Sequence, residues 1–219
     1  EVEDLGIKFV EKTLKPLLWI RDEVKPGEKR VPISPKNAQK LLNTGFRINI
    51  EESKTRCIED REYTKIGCKL VKSGSWETDA PNSAFIIGLK ELPENKPEKL
   101  KHRHIFFAHA YKGQNEAIPL LKRFKAGNGE VLDLEFLVND SGRRVAAFGR
   151  AAGMVGMAMG IIIWCKQILN EKLDKIEAWK CEKDMVNDCI KLIKRAVPKS
   201  KFKKAPKVII IGALGRCGS

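Results

Sequence analysis

Apolar residues along the chain fall into short blocks set apart by turn residues, and the blocks carry different periods. "FRINIEE" alternates apolar and polar positions as a half-buried strand does, while "AFIIGLK" is almost continuously apolar, as a strand covered on both faces must be. "LLWIRDE", "CKLVKS", "HIFFAHA" and "EVLDLEFLV" read as further strands. Between them lie segments with helical grammar. In "SPKNAQKLLNTG" Ser34 is placed as N-cap, Pro35 takes the first helical position and Gly45 stops the helix. "DREYTKIG" predicts a short helix and "NEAIPLLKRFKAGNG" a longer one ended by glycines. Strands alternating with helices predict an α/β fold on a mostly parallel sheet.

The pattern changes near Phe148. "FGRAAGMVGMAMGIIIWCKQILN" is rich in Gly, Ala and Met and predicts a long helix whose small-residue face suits close approach by another backbone. A mainly polar helix, roughly Asp184 to Arg195, and the Pro/Lys linker "AVPKSKFKKAPK" follow. Lys207 to Ile211 reads as one more buried strand, and Gly212, Gly215 and Gly218 come after it in the spacing G-x-x-G-x-x-G. A turn that cradles a dinucleotide pyrophosphate needs glycine so that the backbone can approach it; the spacing here is one residue looser at the front than the usual fingerprint. The expected organisation is an amino-terminal α/β domain over residues 1–147, then an interdomain helix and the first strand of an incomplete second domain over 148–219.

At 219 residues, 42% apolar and 32% charged, the chain holds enough apolar side chains for a packed core. The longest uncharged run, Ala151 to Cys165, is 15 residues, short of the roughly 20 a bilayer-spanning helix needs. No secretory leader is expected, because Glu1 opens an acidic segment. The six cysteines form no CxxC pair, which fits reduced cytosolic thiols and argues against a metal site. A net charge of +14 would suit nucleic acid, yet the lysines are scattered, and the densest run, Lys191 to Lys204, reads as a solvated helix end and linker. Neither a nucleic-acid nor a membrane partner is expected.

Candidate chemistry gathers at the predicted strand ends. Lys90 closes "AFIIGLK", His109 closes "HIFFAHA" with Lys112 behind it, and Arg143 and Arg144 follow the turn "NDSG". In parallel α/β sheets the carboxyl ends of the strands form the ligand crevice. A lysine ending a buried strand can be desolvated and so prepared as a base near neutral pH, a neighbouring histidine could handle a second proton or a water, and arginine supplies a bidentate carboxylate clamp. Each has a plain structural reading too: a snorkelling cation for Lys90, a satisfied core residue for His109, ion pairs for the arginines.

Several stretches, taken in order, resemble one family. "KRVPISPKNAQKLLNTGFRINIEE", "GSW", "IIGLKELPE", "FFAHAYKGQ", "DLEFLVNDSGRRVAAFG" and "VIIIGALGRCGS" are similar to the NAD-dependent, lysine-forming saccharopine dehydrogenases, from about residue 17 to Ser219 with a divergent stretch at roughly 166–204. More distantly, the amino-terminal half looks like alanine dehydrogenase and the transhydrogenases. The resemblance implies two Rossmann-like domains with mostly parallel sheets, the active site in the cleft between them, and reversible oxidative deamination of saccharopine with NAD and water to lysine and 2-oxoglutarate. By motif, Lys90 of "GLKE" would be the base that takes the proton of the secondary amine, and His109 of "AHAYK" the acid-base residue for hydration and collapse of the imine. Arg30 and Arg144 would bind substrate carboxylates with Lys112, Gln114 and Phe148 lining the pocket, and Arg143, Gly215 and Arg216 would contact NAD. Cys217 matches a cysteine that in the family can form a disulfide with a later cysteine, which is absent here. A monomeric, cytoplasmic enzyme is implied; a peroxisomal address would lie at a carboxyl terminus past Ser219.

The family continues well past this length and carries there the acidic residue for the cofactor ribose and the later strands, so the chain alone is expected to show no dehydrogenase activity. Two other readings stay open on the residues: an alanine-dehydrogenase-like enzyme using the same Arg, Lys and His trio on a smaller substrate, and a non-catalytic basic binding domain.

Overall fold

The computed structural model describes residues 15–94 and 96–218; the acidic segment opening at Glu1 and the Ser219 that ends the glycine turn lie outside them. The chain divides into two compact units, Glu1–Ala146 and Ala147–Ser219.

Strands β1 (Leu17–Ile20), β2 (Arg47–Glu51), β3 (Lys69–Val71), β4 (Phe85–Ile87), β5 (Arg103–Phe106) and β6 (Glu130–Asp133) form one sheet in the order β3-β2-β1-β4-β5-β6. Every neighbouring pair is parallel, so all the strands end on the same edge. Strand order reverses between β1 and β4, which makes their carboxyl ends the switch-point crevice of the sheet. Successive residues of a strand face opposite sides. In β1, Leu17 and Trp19 enter one core with Trp76, Ile86, Leu100, Phe106 and Phe124, while Leu18 and Ile20 enter the other with Ile48, Ile50, Tyr63 and Ile87. Covering on both faces is the reason "LLWI" is apolar at every position.

Helices α1 (Pro35–Asn43), α2 (Asp60–Thr64) and α3 (Ala117–Gly127) connect the strands. Ser34 caps α1 through its side chain to the Asn37 N–H, with Pro35 in the first turn, and α3 stops where Asn128 takes the left-handed conformation at φ +54°. The strands stop earlier than their apolar runs suggest. Pairing ends at Ile87 and Phe106, so Lys90 and His109 stand on loops beyond the ladder. "EVLDLEFLV" is strand only in its first half, because Asp133 Oδ1 accepts the Glu135 N–H at 2.9 Å and turns the chain into a 3₁₀ turn over Leu134–Phe136.

The second unit is a helix pair running in the same direction, α4 (Arg150–Leu169) and α5 (Glu182–Ala196), with Arg150 pairing with Glu182 at the two starts and the helices packed through Ala158, Ile162, Met185 and Cys189. Glu182 and Asp184 in the first turn of α5 and Lys194 and Arg195 in its last complement the helix dipole. By length and composition α4 could cross a bilayer, which is weak ground, since the core helix of a soluble protein passes the same test. The expected strand at Lys207–Ile211 is not formed: the stretch pairs with no strand, and Ile209 is 89% and Ile211 98% exposed. A lone parallel strand gains nothing without a neighbour to complete its ladder, and the described residues of this unit offer none.

Candidate active site

Four loops leave the carboxyl ends of β1, β4, β5 and β6, which are consecutive in the sheet. The β1 loop brings Lys25, Glu28 and Arg30; the β4 loop Lys90 and Glu91; the β5 loop His109, Lys112 and Gln114; the β6 loop Glu135, followed by Arg143 and Arg144. Lys25, Arg30, His109, Lys112 and Arg144 each meet a carboxylate. Arg30 grips Glu28 with two parallel bonds, Nε to Oε1 at 2.8 Å and Nη2 to Oε2 at 2.6 Å. That bond, outweighing burial and helped by the nearby Lys90 charge, holds the Glu28 carboxyl down to about 2.

Glu91 bridges two loops, taking Lys25 Nζ at 2.8 Å on one oxygen and facing His109 Nδ1 at 3.2 Å with the other. Burial pushes Glu91 up, but Lys25, its own backbone N–H and His109 together bring it down to about 2. His109 is no core residue: its side chain is 43% exposed, and its backbone is left-handed at φ +51°, a conformation uncommon outside glycine and concentrated at functional sites. Glu135 performs the same bridging role one strand further on, between Lys112 at 2.5 Å and Arg144 at 2.8 Å. The Lys112 bond, with Arg144 and His109 behind it, lowers its pKa. Gln114 Oε1 accepts the Lys112 N–H at 2.8 Å, which folds the loop onto a small cavity of about 130 Å³ shared with His109, Tyr111 and Asp133. On the other side of His109 and Gln114 opens a cavity of about 1060 Å³, lined also by Lys25, Glu91 and Arg123.

Arg30, Lys90, His109, Lys112, Gln114 and Arg144 therefore share one edge of the first unit. Arg143 shapes the adjoining hairpin: its N–H is held by Asn139 Oδ1 at 2.9 Å, and Val138 bridges Arg144. Phe148, 72% exposed, belongs to the second unit, as do Gly215, Arg216 and the exposed free thiol of Cys217. There the glycine turn is compact. Gly212 has φ +80°, the Gly215 N–H bonds the Gly212 carbonyl at 2.8 Å, and a β carbon on Gly218 or Gly153 would collide with the turn backbone. Bare backbone beside a guanidinium fits a pyrophosphate, although the described residues supply only the turn and not the helix behind it. The bridging acids Glu28, Glu91 and Glu135 escape a reading based on cations at strand ends. Their signal is proximity in sequence, in "EKR", "KE" and "DLEF".

The alanine dehydrogenase/PNT N-terminal domain family matches residues 19–155. The chain belongs to this family. It is 46% identical over 206 residues to saccharopine dehydrogenase [NAD(+), L-lysine-forming] of Schizosaccharomyces pombe, covering 93% of this chain and 55% of that protein. The protein of the same name from Candida albicans is 43% identical over 215 residues, covering 93% and 56%. The chain thus spans about half the length of the curated relatives it matches. A solved L-alanine dehydrogenase structure overlays 70% of this chain and 39% of its own, at 15% identity and a TM-score of 0.46.

Proposed function

We propose that the chain is the substrate-side portion of an NAD-dependent saccharopine dehydrogenase, which oxidises saccharopine with water to lysine and 2-oxoglutarate. The observation that carries this reading is the row of cations on one sheet edge, Arg30, Lys90, His109, Lys112 and Arg144, threaded by bridging carboxylates. Saccharopine bears three carboxylates and a secondary amine, so it calls for guanidinium clamps around a proton acceptor. Arg30 and Arg144 bind carboxylates, exchanging part of their hold on Glu28 and Glu135 for substrate, with Lys112 and Gln114 lining the site. Lys90 takes the proton of the secondary amine nitrogen. NAD, when bound, accepts the hydride from the adjoining carbon. His109 then moves protons as water adds to the imine carbon and the carbinolamine collapses to the free amine and the ketone. Arg143, Gly215 and Arg216 would hold NAD.

Lys90→Met in the full-length enzyme carrying this chain tests the assignment. Turnover of saccharopine is expected to fall by about 10²- to 10⁴-fold, the range for losing a general base. Turnover equal to that of the unsubstituted enzyme would remove Lys90 from this role.

A further inference from the structure

Behind the groups that would touch substrate, the switch point holds a buried polar cluster that the chemistry above leaves unused. Arg21 and Glu23, just past β1, are 3% and 9% exposed. Glu23 Oε1 accepts the Leu89 N–H at 2.6 Å, and Oε2 accepts the Lys90 N–H at 3.0 Å. Arg21 Nη2 donates to the Lys90 carbonyl, while Nη1 reaches Glu23 Oε2 at 3.5 Å and the Asp22 carbonyl at 3.3 Å. The Leu89 carbonyl accepts the Phe107 N–H at 3.2 Å. All the backbone polar groups of Leu89 and Lys90 are bonded, and most of them by two side chains from the loop after β1 rather than by a ladder.

The handover from ladder to clamp is abrupt. The Arg21 N–H donates to the Ile87 carbonyl at 3.0 Å and the Gly88 N–H to Ile105 at 2.9 Å, and the Phe107 N–H to Leu89 bond is the one backbone bond past them at this point. Gly88 makes room for the guanidinium, since a β carbon there would lie 2.5 Å from Arg21 Cζ. A second buried carboxylate braces the clamp: Glu51 accepts the Trp19 indole and the N–H groups of Asp22, Gly74 and Trp76, at 2.8 to 3.0 Å.

We propose that Arg21 and Glu23 are positioning residues for Lys90, locking the Leu89–Lys90 peptide so that the lysine amine enters the switch-point crevice from one fixed origin. This rests on the reading of Lys90 as the base and deepens it. A backbone held at both its N–H and its carbonyl leaves Lys90 only its side-chain torsions to search, and a misplacement of about 1 Å costs on the order of 10²-fold in rate. Arg21 also compensates the charge that Glu23 carries into the interior.

The test is a double-mutant cycle of Glu23→Gln and Lys90→Met in the full-length enzyme, read by saccharopine-dependent NADH formation. The glutamine keeps the shape but turns one acceptor oxygen into an NH₂ that faces an N–H. Glu23→Gln is expected to lower kcat by about 10- to 100-fold with KM changed less than about threefold, and to have less than about a twofold effect once Lys90 is already Met. An equal loss in both backgrounds marks a merely structural role and overturns the proposal, as does an unchanged kcat in Glu23→Gln. Full turnover by Lys90→Met alone would instead defeat the base assignment, and the positioning role with it, a result distinct from the other two. If Glu23→Gln does not fold, hydrogen exchange of the unsubstituted enzyme decides. The Leu89 and Lys90 amides are expected to exchange at least ~10²-fold more slowly than in an unstructured peptide, and exchange at the unprotected rate overturns the proposal.

Discussion

His104 sits at 1% exposure with its ring edge-on to Trp76 and Phe124, at centroid distances of 5.1 and 5.3 Å, and neither of its ring nitrogens has a hydrogen-bond partner. Burial, with His102 alongside, pushes its pKa down to about 3 from 6.5. The folded chain therefore keeps the imidazole neutral, while the unfolded chain takes up a proton below about pH 6.5. Stability is unaffected by this group above that pH and falls as pH drops towards 3, by about 1.4 kcal/mol per unit for one proton. Glu28 and Glu91, held down to about 2 from 4.5, stabilise the fold above pH 4.5 and lose that contribution only below it. The window from pH 6.5 to 4.5 thus reports on the buried histidines, His102 being lowered by burial as well. His104→Leu is expected to remove about one proton of pH dependence from urea unfolding in that window; an unchanged slope would contradict the buried neutral state. Such residues are hard to foresee. Lys90, His109 and the arginines stood out in the sequence because cations at strand ends are conspicuous, whereas Arg21, Glu23 and Glu51 look like ordinary surface charges until the sheet closes over them.

The turn from α3 into β6 shows how closely the elements are fitted. A β carbon on Gly129 would strike the Leu100 carbonyl and lie 2.7 Å from that of His102, backbone that cannot swing aside as a side chain would. Gly129→Ala should cost about 1–3 kcal/mol by overpacking. Gly156, in α4, has open space where its β carbon would go, and Gly156→Ala should instead gain roughly 0.5–1 kcal/mol of helix propensity. Opposite shifts in the urea midpoints of the 219-residue chain would bear this out, and equal shifts would not. Elements of the first unit were legible in the sequence, because period, caps and turn residues agree in "SPKNAQKLLNTG" and "FRINIEE". Their ends were not. Ladder pairing stops at Ile87 and Phe106 for reasons of tertiary register, and Asp133 breaks its own strand by capping a 3₁₀ turn. "KVIII" misleads in the opposite sense: its apolar pattern is that of a buried strand, yet a strand needs a neighbour, which a local pattern cannot supply.

The net charge of +14 is distributed through the architecture rather than gathered into one basic groove. Arg56 pairs with Asp60, Arg123 spends its guanidinium on the carbonyls of Pro93, Lys96 and Pro97, and Arg21 is buried at the switch point. The cations left at the strand ends are those facing the crevice, where bridging acids hold them apart and oriented. That arrangement suits a substrate with several carboxylates better than a small amino acid with one. The measurement that bears most directly on the proposed function compares NADH formation from saccharopine and from L-alanine by the full-length enzyme carrying this chain, at equal concentrations and saturating NAD. Turnover of saccharopine with none detectable from alanine is expected; turnover of alanine with none from saccharopine would contradict the account.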